Sequence, residues 1–397
     1  MLRNRAFLLL CVTIFLGYTH VGVLGATLPL YITANGGSPF VAGLILAGFS
    51  VMSFGLRPLI GYSVDRWSPR QVLTLGTMIL GTCSAVFILP SMAVLAVANT
   101  VRGLGWAALN TAGFAAVGLV SPPNRRAEAS SYYSVATSLA TTFSPALALW
   151  LISAPIESFP AVFVLGAVAA FLAAVVSRSV RPPAAQARPV AARSGESSLR
   201  LRAFVDRGVL LASVLLIALT VTNSAAISFL PLYARSLGIE NPGIYFIVSG
   251  AVSIFLRAGF GRYLDRGSRG VWILAAFALL AVGMGVIRSA TDLTILVVGG
   301  MVYSLGNSLT STMLLALALD LADPHRPGAA MATYSASYQI GTAIGAPAAG
   351  ALIQLAGFGG MYLGSIACAI VGIGLTLANW SRLSRKSAAE PLPVASD

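Results

Sequence analysis

Long stretches without charge dominate this chain and decide what it can fold into. Ala6 to Ile32, Val41 to Tyr62 and Val209 to Tyr233 are each long enough to cross hydrocarbon, with Gly and Ser among the apolar residues but little charge. About 20 residues rising 1.5 Å each cross an apolar layer roughly 30 Å thick. Only 9% of the 397 residues are charged, against roughly a quarter in a soluble domain, so the chain lacks the charge to cover a water-exposed surface. The pattern predicts helices over 6–32, 40–62, 71–90, 92–119, 127–152, 159–179, 208–234, 243–264, 271–289, 293–320, 328–355 and 358–380. The expected fold is an all-α integral membrane protein of twelve transmembrane helices.

Charge orders these spans. The net charge of +13 would suggest nucleic acid in a soluble protein, but here it follows membrane topology. With the N-terminus inside, the external loops hold only Arg235 and Arg288, while Arg57, Arg102 and Arg257 fall within spans and the other 20 basic residues are internal. This asymmetry puts both termini in the cytoplasm and the protein in the cytoplasmic membrane. Nothing at the N-terminus resembles a signal-peptide cleavage site, so the first span is expected to be retained. Cys11, Cys83 and Cys368 lie in separate spans, without disulfide or metal spacing. No metal or cofactor is expected.

The longest polar interruption, Arg181 to Arg207, carries Pro182, Pro183, Pro189 and Gly195 and reads as a flexible cytoplasmic linker. It separates a six-helix bundle over residues 1–180 from a second over 208–397. The halves are related. Ser53 to Arg66 matches Ser253 to Arg266 at an offset of 200, with Ser, Leu, Arg, Gly, Asp and Arg shared at six of 14 positions. Leu28-Pro-Leu-Tyr31 recurs as Leu230-Pro-Leu-Tyr233, and Tyr132 and Pro145 recur as Tyr334 and Pro347. A duplicated six-helix unit is the signature of a transporter whose halves rock about a central site.

The repeated segments resemble the signature loop of the major facilitator superfamily, Gly-x-x-x-Asp-Arg-x-Gly-Arg-Arg/Lys. Gly61, Asp65, Arg66 and Arg70 match in the first half, where Ser68 and Pro69 depart, and Gly261, Asp265, Arg266 and Arg269 match in the second. In span 4, Asn99 to Gly105 resembles the family pattern Arg-x-x-x-Gly-x-Gly, with Gly103 and Gly105 in the glycine places. Asn99 takes the arginine place, and Arg102 stands three residues along the same face. Span 5 holds Ala140 to Pro145, similar to the antiporter pattern Gly-x-x-x-Gly-Pro with both glycines replaced. The resemblance implies two pseudo-symmetric bundles and alternating access, with a monomer as the working unit. It also implies proton-coupled export of a drug-like or metabolite solute, a carboxylate metallophore among them, with the proton gradient as energy source. An uptake symporter or facilitator is the competing reading, and a polytopic membrane enzyme or sensor a third, which no nucleophile elbow, phosphate loop or metal spacing supports.

Candidate site residues follow from depth. An ionisable side chain in hydrocarbon is costly unless it faces a cavity or a partner. His20 and Arg102 lie about 16 and about 15 Å from the outer ends of their spans, so they are expected to share a cavity. No acidic residue falls at mid-span, which favours neutral or anionic solutes and leaves His20 as the central group suited to proton coupling. Tyr18, Thr19, Asn99, Asn110, Thr220, Thr222, Asn223, Tyr303, Asn307, Tyr334, Tyr338 and Gln339 are expected to line this cavity, with Trp106 as an aromatic wall. At the cytoplasmic ends, Asp65 and Asp265 are placed to cap helices of the opposite half and latch a gate. Gly61 and Gly261 would let the backbones approach. Arg57 and Arg257, one turn inward, are expected to pair with acids such as Asp320 or Asp323.

Overall fold

The structure is a computed structural model that describes residues 5–121, 125–153, 156–180, 208–264, 268–322 and 327–383, apart from the side chains of 65, 126–127, 257–264, 327–329 and 382. The linker and the loop around Asp265 and Arg266 therefore lie outside the described residues, as do the side chains of Asp65 and Arg257. Everything regular among the described residues is helical: α1 (Arg5–Ala34), α2 (Pro39–Gly55), α3 (Arg57–Arg66), α4 (Pro69–Val86), α5 (Met92–Val120), α6 (Arg126–Leu151) and α7 (Phe159–Ser177) in the first half. The second half contains α8 (Leu210–Ser224), α9 (Leu230–Ser236), α10 (Gly243–Leu264), α11 (Arg269–Arg288), α12 (Leu293–Leu321), α13 (Pro327–Ala378) and α14 (Trp380–Leu383).

Eight of these segments pass as membrane spans on length and composition, or nine when α2 and α3 count as one span bent by 45°. α13 is two spans in series, since Gly357 turns at φ +67° and ψ −175°. Only glycine takes that backbone without strain, and the reversal needs nothing longer. With α4, which opens on the polar Pro69-Arg70-Gln71, and α10, the spans number twelve as expected. The sequence missed the break at Leu56, where Pro58 begins a new helix: span 2 is two helices. Ser68 and Pro69, the departures from the signature, have a local purpose. The Ser68 hydroxyl accepts from the Gln71 amide at 3.2 Å, and Pro69 opens α4. Serine caps likewise start α2, α5 and α7.

The halves meet chiefly along two seams related by the internal repeat, and α1 also touches the turn before α9 and α9 itself. α2 lies against α13, and α6 against α10. Gly43 faces the backbone of Ala346 and Pro347, and its counterpart Gly243 faces Ala146, next to Pro145, the counterpart of Pro347. The apolar core is uneven. On the side away from the chain termini, one continuous cluster joins Leu28, Leu30 and Ala148 of the first half to Phe229, Leu230 and Tyr245 of the second. On the terminal side, the first half keeps its own cluster around Phe7, Leu10, Ile14 and Val117.

Duplication is not complete identity. The Leu-Pro-Leu-Tyr segment of span 1 sits in an unbroken α-helix, with Pro29 inside it. Its copy in span 7 is preceded by a π-turn, Ala225–Phe229, between α8 and α9. Pro231 has no N–H for the carbonyl four residues back, and here the helix widens.

Candidate functional site

The polar residues of the membrane interior fall into two groups, and depth alone does not separate them. The first is enclosed in the N-terminal bundle. On α1, Thr13, Gly17, His20, Leu24 and Thr27 form one buried stripe at helical spacing. His20 is 0% exposed; its Nδ1 lies 3.0 Å from the Gly166 carbonyl and 3.3 Å from the Ser84 hydroxyl. A carbonyl only accepts, so Nδ1 carries the hydrogen, and Nε2 is buried with no partner. The repeat gives this contact a counterpart. Thr222, 202 residues after His20, hydrogen-bonds the Ser365 carbonyl of span 12 as well as its own helix.

Arg102, 2% exposed, belongs to the same group. Its guanidinium sits 4.8 Å from the ring centre of Phe49 and 5.8 Å from that of Phe87. Nε and Nη1 have no hydrogen-bond partner, and the charge lies within electrostatic reach of His20 and Cys83. His20 and Arg102, expected to share a cavity, lie near one another and are both buried among the helices. They are packed inside one bundle, with the Phe49 ring of α2 against the guanidinium. Asn99 is also enclosed, donating to the Ile45 carbonyl at 2.7 Å and tying α5 to α2. Gly103 and Gly105 allow α5 to lie against Phe49 and Gly76.

The second group borders the seam between the halves. The Tyr18 hydroxyl donates to Asn110 Oδ1 at 2.7 Å, and Asn110 Nδ2 donates to the Trp106 carbonyl at 2.9 Å. The rings of Tyr18 and Trp106 meet edge-on with centroids 4.8 Å apart. Tyr338 faces them from α13, on the arc between Ser335 and Gln339, which meet α3 and α2, and Gly341 and Gly345, which meet α8. It lies near Tyr18 in one half and Tyr303 in the other, and yet is 47% exposed. Tyr338 therefore borders open space between the bundles. Tyr303 in turn donates to Asn223. Tyr334 is buried, and Asn307 has an unpartnered Oδ1. A further cleft of about 760 Å3 lies where α1, α6 and α10 meet, lined by apolar side chains including Phe15, Phe143 and Leu147.

The charged residues near the terminal side are partnered differently from expectation. Arg57 Nη1 donates to the Ser335 hydroxyl across the seam, beside a 3.0 Å hydrogen bond from Gln339 to Ser53. Asp320 pairs with Arg269 inside the second half, so it is not a partner of Arg57. Arg66 donates to Tyr62, and Arg70 reaches the carbonyl of Arg178 at the end of α7. Sequence reading missed Phe49 and Ser335. Ser335 carries a signal, standing one helical turn before Gln339 on the same face; nothing in the sequence marks Phe49.

The geometry is that of two repeated bundles around a polar, aromatic seam. The sequence model of the Major Facilitator Superfamily matches residues 10–329 and 268–395. The chain belongs to this superfamily. An MFS-type transporter of Methanocaldococcus jannaschii is 21% identical over 383 residues, covering 94% of this chain and 97% of that protein. The staphylopine export protein of Staphylococcus aureus is 20% identical over 370 residues, covering 90% and 91%. Among solved structures, a bacterial homologue of the human lysosomal transporter Spinster superposes with a TM-score of 0.76 at 14% identity, covering 97% of this chain and 98% of that one. A peptide transporter, POT, solved in complex with sulfate, gives 0.75 at 16% identity and 96% coverage of both chains. These likenesses establish a superfamily transporter fold, and the protein is a multi-pass membrane transporter of a small solute rather than an enzyme.

Proposed function

We propose that this superfamily member exports a small neutral or anionic organic molecule from the cytoplasm, driven by the proton gradient, through alternating access of its two halves. The observation that carries the reading is the charge of the interior. Among the described side chains, Arg57 and Arg102 are the cations within the spans, while the described acids Glu128, Glu157, Glu240, Asp292 and Asp320 all stand at helix ends or in loops. Such an interior repels organic cations and favours anions. Similarity to an export protein supports the direction. The positive-inside asymmetry supports a cytoplasmic location for both termini, in the cell membrane.

Flux of candidate organic anions in reconstituted vesicles under an imposed pH gradient tests this reading. Outward-directed transport that collapses with the gradient is expected; uptake against it, or indifference to protons, would overturn it. In this scheme His20 carries the coupled proton at Nε2. His20→Ala is expected to cut proton-driven flux at least about tenfold, ~1.4 kcal/mol in the limiting barrier, while the protein still folds. Unchanged pH dependence would remove His20 from the mechanism. Asp65 in this scheme latches the cytoplasmic side by capping a helix of the other half. Asp65→Asn is expected to widen the distance between labels on the cytoplasmic ends of spans 2 and 11, and an unaltered distribution would refute the latch.

A further inference from the structure

Arg57 is half-used. One guanidinium nitrogen, Nη1, donates to Ser335 across the seam, while Nε is buried without a partner. A neutral hydroxyl is a weak match for a guanidinium, whose flat edge fits the two oxygens of a carboxylate. Its surroundings are those of a binding site. Tyr18 lies within electrostatic reach of the guanidinium, Trp106 packs against Tyr18, and Tyr338 exposes nearly half its surface one turn along α13 from Ser335. From these contacts we infer that Arg57 receives the carboxylate of an amphipathic organic anion whose planar aromatic body lies against Trp106 and Tyr338, and that this carboxylate displaces Ser335 from the guanidinium.

The inference deepens the exporter reading and rests on it. It makes Arg57 a specificity-determining residue instead of a partner for an acidic gate residue. It also joins recognition to movement. Ser335 belongs to the second half, so a solute that captures the guanidinium removes a hydrogen bond that ties α3 to α13 near the terminal side. The hydrogen bond from Gln339 to Ser53, which ties α2 to α13, stays. Binding in the seam therefore loosens the seam.

The test uses 2-naphthoate as probe and 2-naphthamide as its uncharged match, with affinities measured by titration calorimetry on the purified full-length protein. The wild type is expected to prefer the acid by at least tenfold. Arg57→Gln should abolish that preference, Arg57→Lys should restore part of it, and Ser335→Ala should tighten acid binding severalfold by removing the competing acceptor. Thermal melts of each variant show that it is folded. Equal affinity for acid and amide in the wild type, binding of neither, or wild-type preference in a folded Arg57→Gln protein would overturn the inference. If that variant keeps the preference while proton-driven efflux of organic anions persists, the inference falls and the exporter reading stands. If acid recognition behaves as expected but no anion is driven outward by protons, Arg57 keeps its role and the exporter reading falls.

Discussion

Arg102→Met is expected to raise the melting temperature of the purified protein while cutting transport about a hundredfold or more, ~2.7 kcal/mol in the limiting barrier. The guanidinium is 2% exposed, with two of its nitrogens unpartnered and only the faces of Phe49 and Phe87 for compensation. Cation–π contacts return roughly 2 kcal/mol when desolvated, whereas an unpaired buried charge costs several. Methionine of similar length keeps the packing and removes the charge, and such replacements are often neutral or stabilising by about 1–4 kcal/mol. A charge held at a loss in stability marks function. Thermal melts and vesicle flux on the same preparation decide the matter. A lower melting temperature would make Arg102 a structural residue, and undiminished flux would remove it from the transport cycle.

The second large effect concerns one methyl group. Gly43→Ala is expected to shift the conformational equilibrium about tenfold or more toward opening at the side away from the termini, whereas Gly243→Ala is nearly silent. A Cβ at Gly43 would fall 2.7 Å from the Cα of Pro347 and against the Ala346 carbonyl, backbone that yields only if α2 and α13 separate. At the repeat-related position the nearest backbone atom, the Cα of Ala146, is 3.2 Å away, and the closer neighbour is the Asn241 side chain, which can swing. Overpacking of this kind costs roughly 1–3 kcal/mol, and each 1.4 kcal/mol shifts a two-state equilibrium tenfold. Alkylation of a cysteine placed at Thr142, buried at the α6–α10 seam, reports the opening. Equal labelling in both glycine variants would contradict the expectation.

The contrast between these glycines also shows where sequence reading stops. Apolar runs, the placement of charge and the offset repeat announced the spans, since each can be read directly along the chain. The break at Leu56 and the π-turn before Pro231 arise from how a helix accommodates proline, and a hydropathy pattern is blind to both. Depth along a helix was also legible, and it brought His20 and Arg102 together. Which side of the helix they occupy needed more. His20 shares its face with Gly17, Leu24 and Thr27, so a helical-wheel reading would have turned it inward, away from Tyr18 two residues before it. The partner of Arg57 was hidden for another reason: its acceptor is an ordinary serine 278 positions away, and no charge pattern points to it.

The π-turn in span 7 has no counterpart in span 1, although both spans end in the same tetrapeptide. A helix with an irregular turn bends there more readily than an unbroken one. The inward-open and outward-open states of such a machine are then not equivalent in energy, so the climb from each to their shared transition state differs. Net flow still obeys the driving gradient, because thermodynamics is indifferent to the path, but the stiffer stroke governs turnover. Loading solute on one side or the other will therefore reveal two different maximal speeds from a molecule built of two copies of one plan.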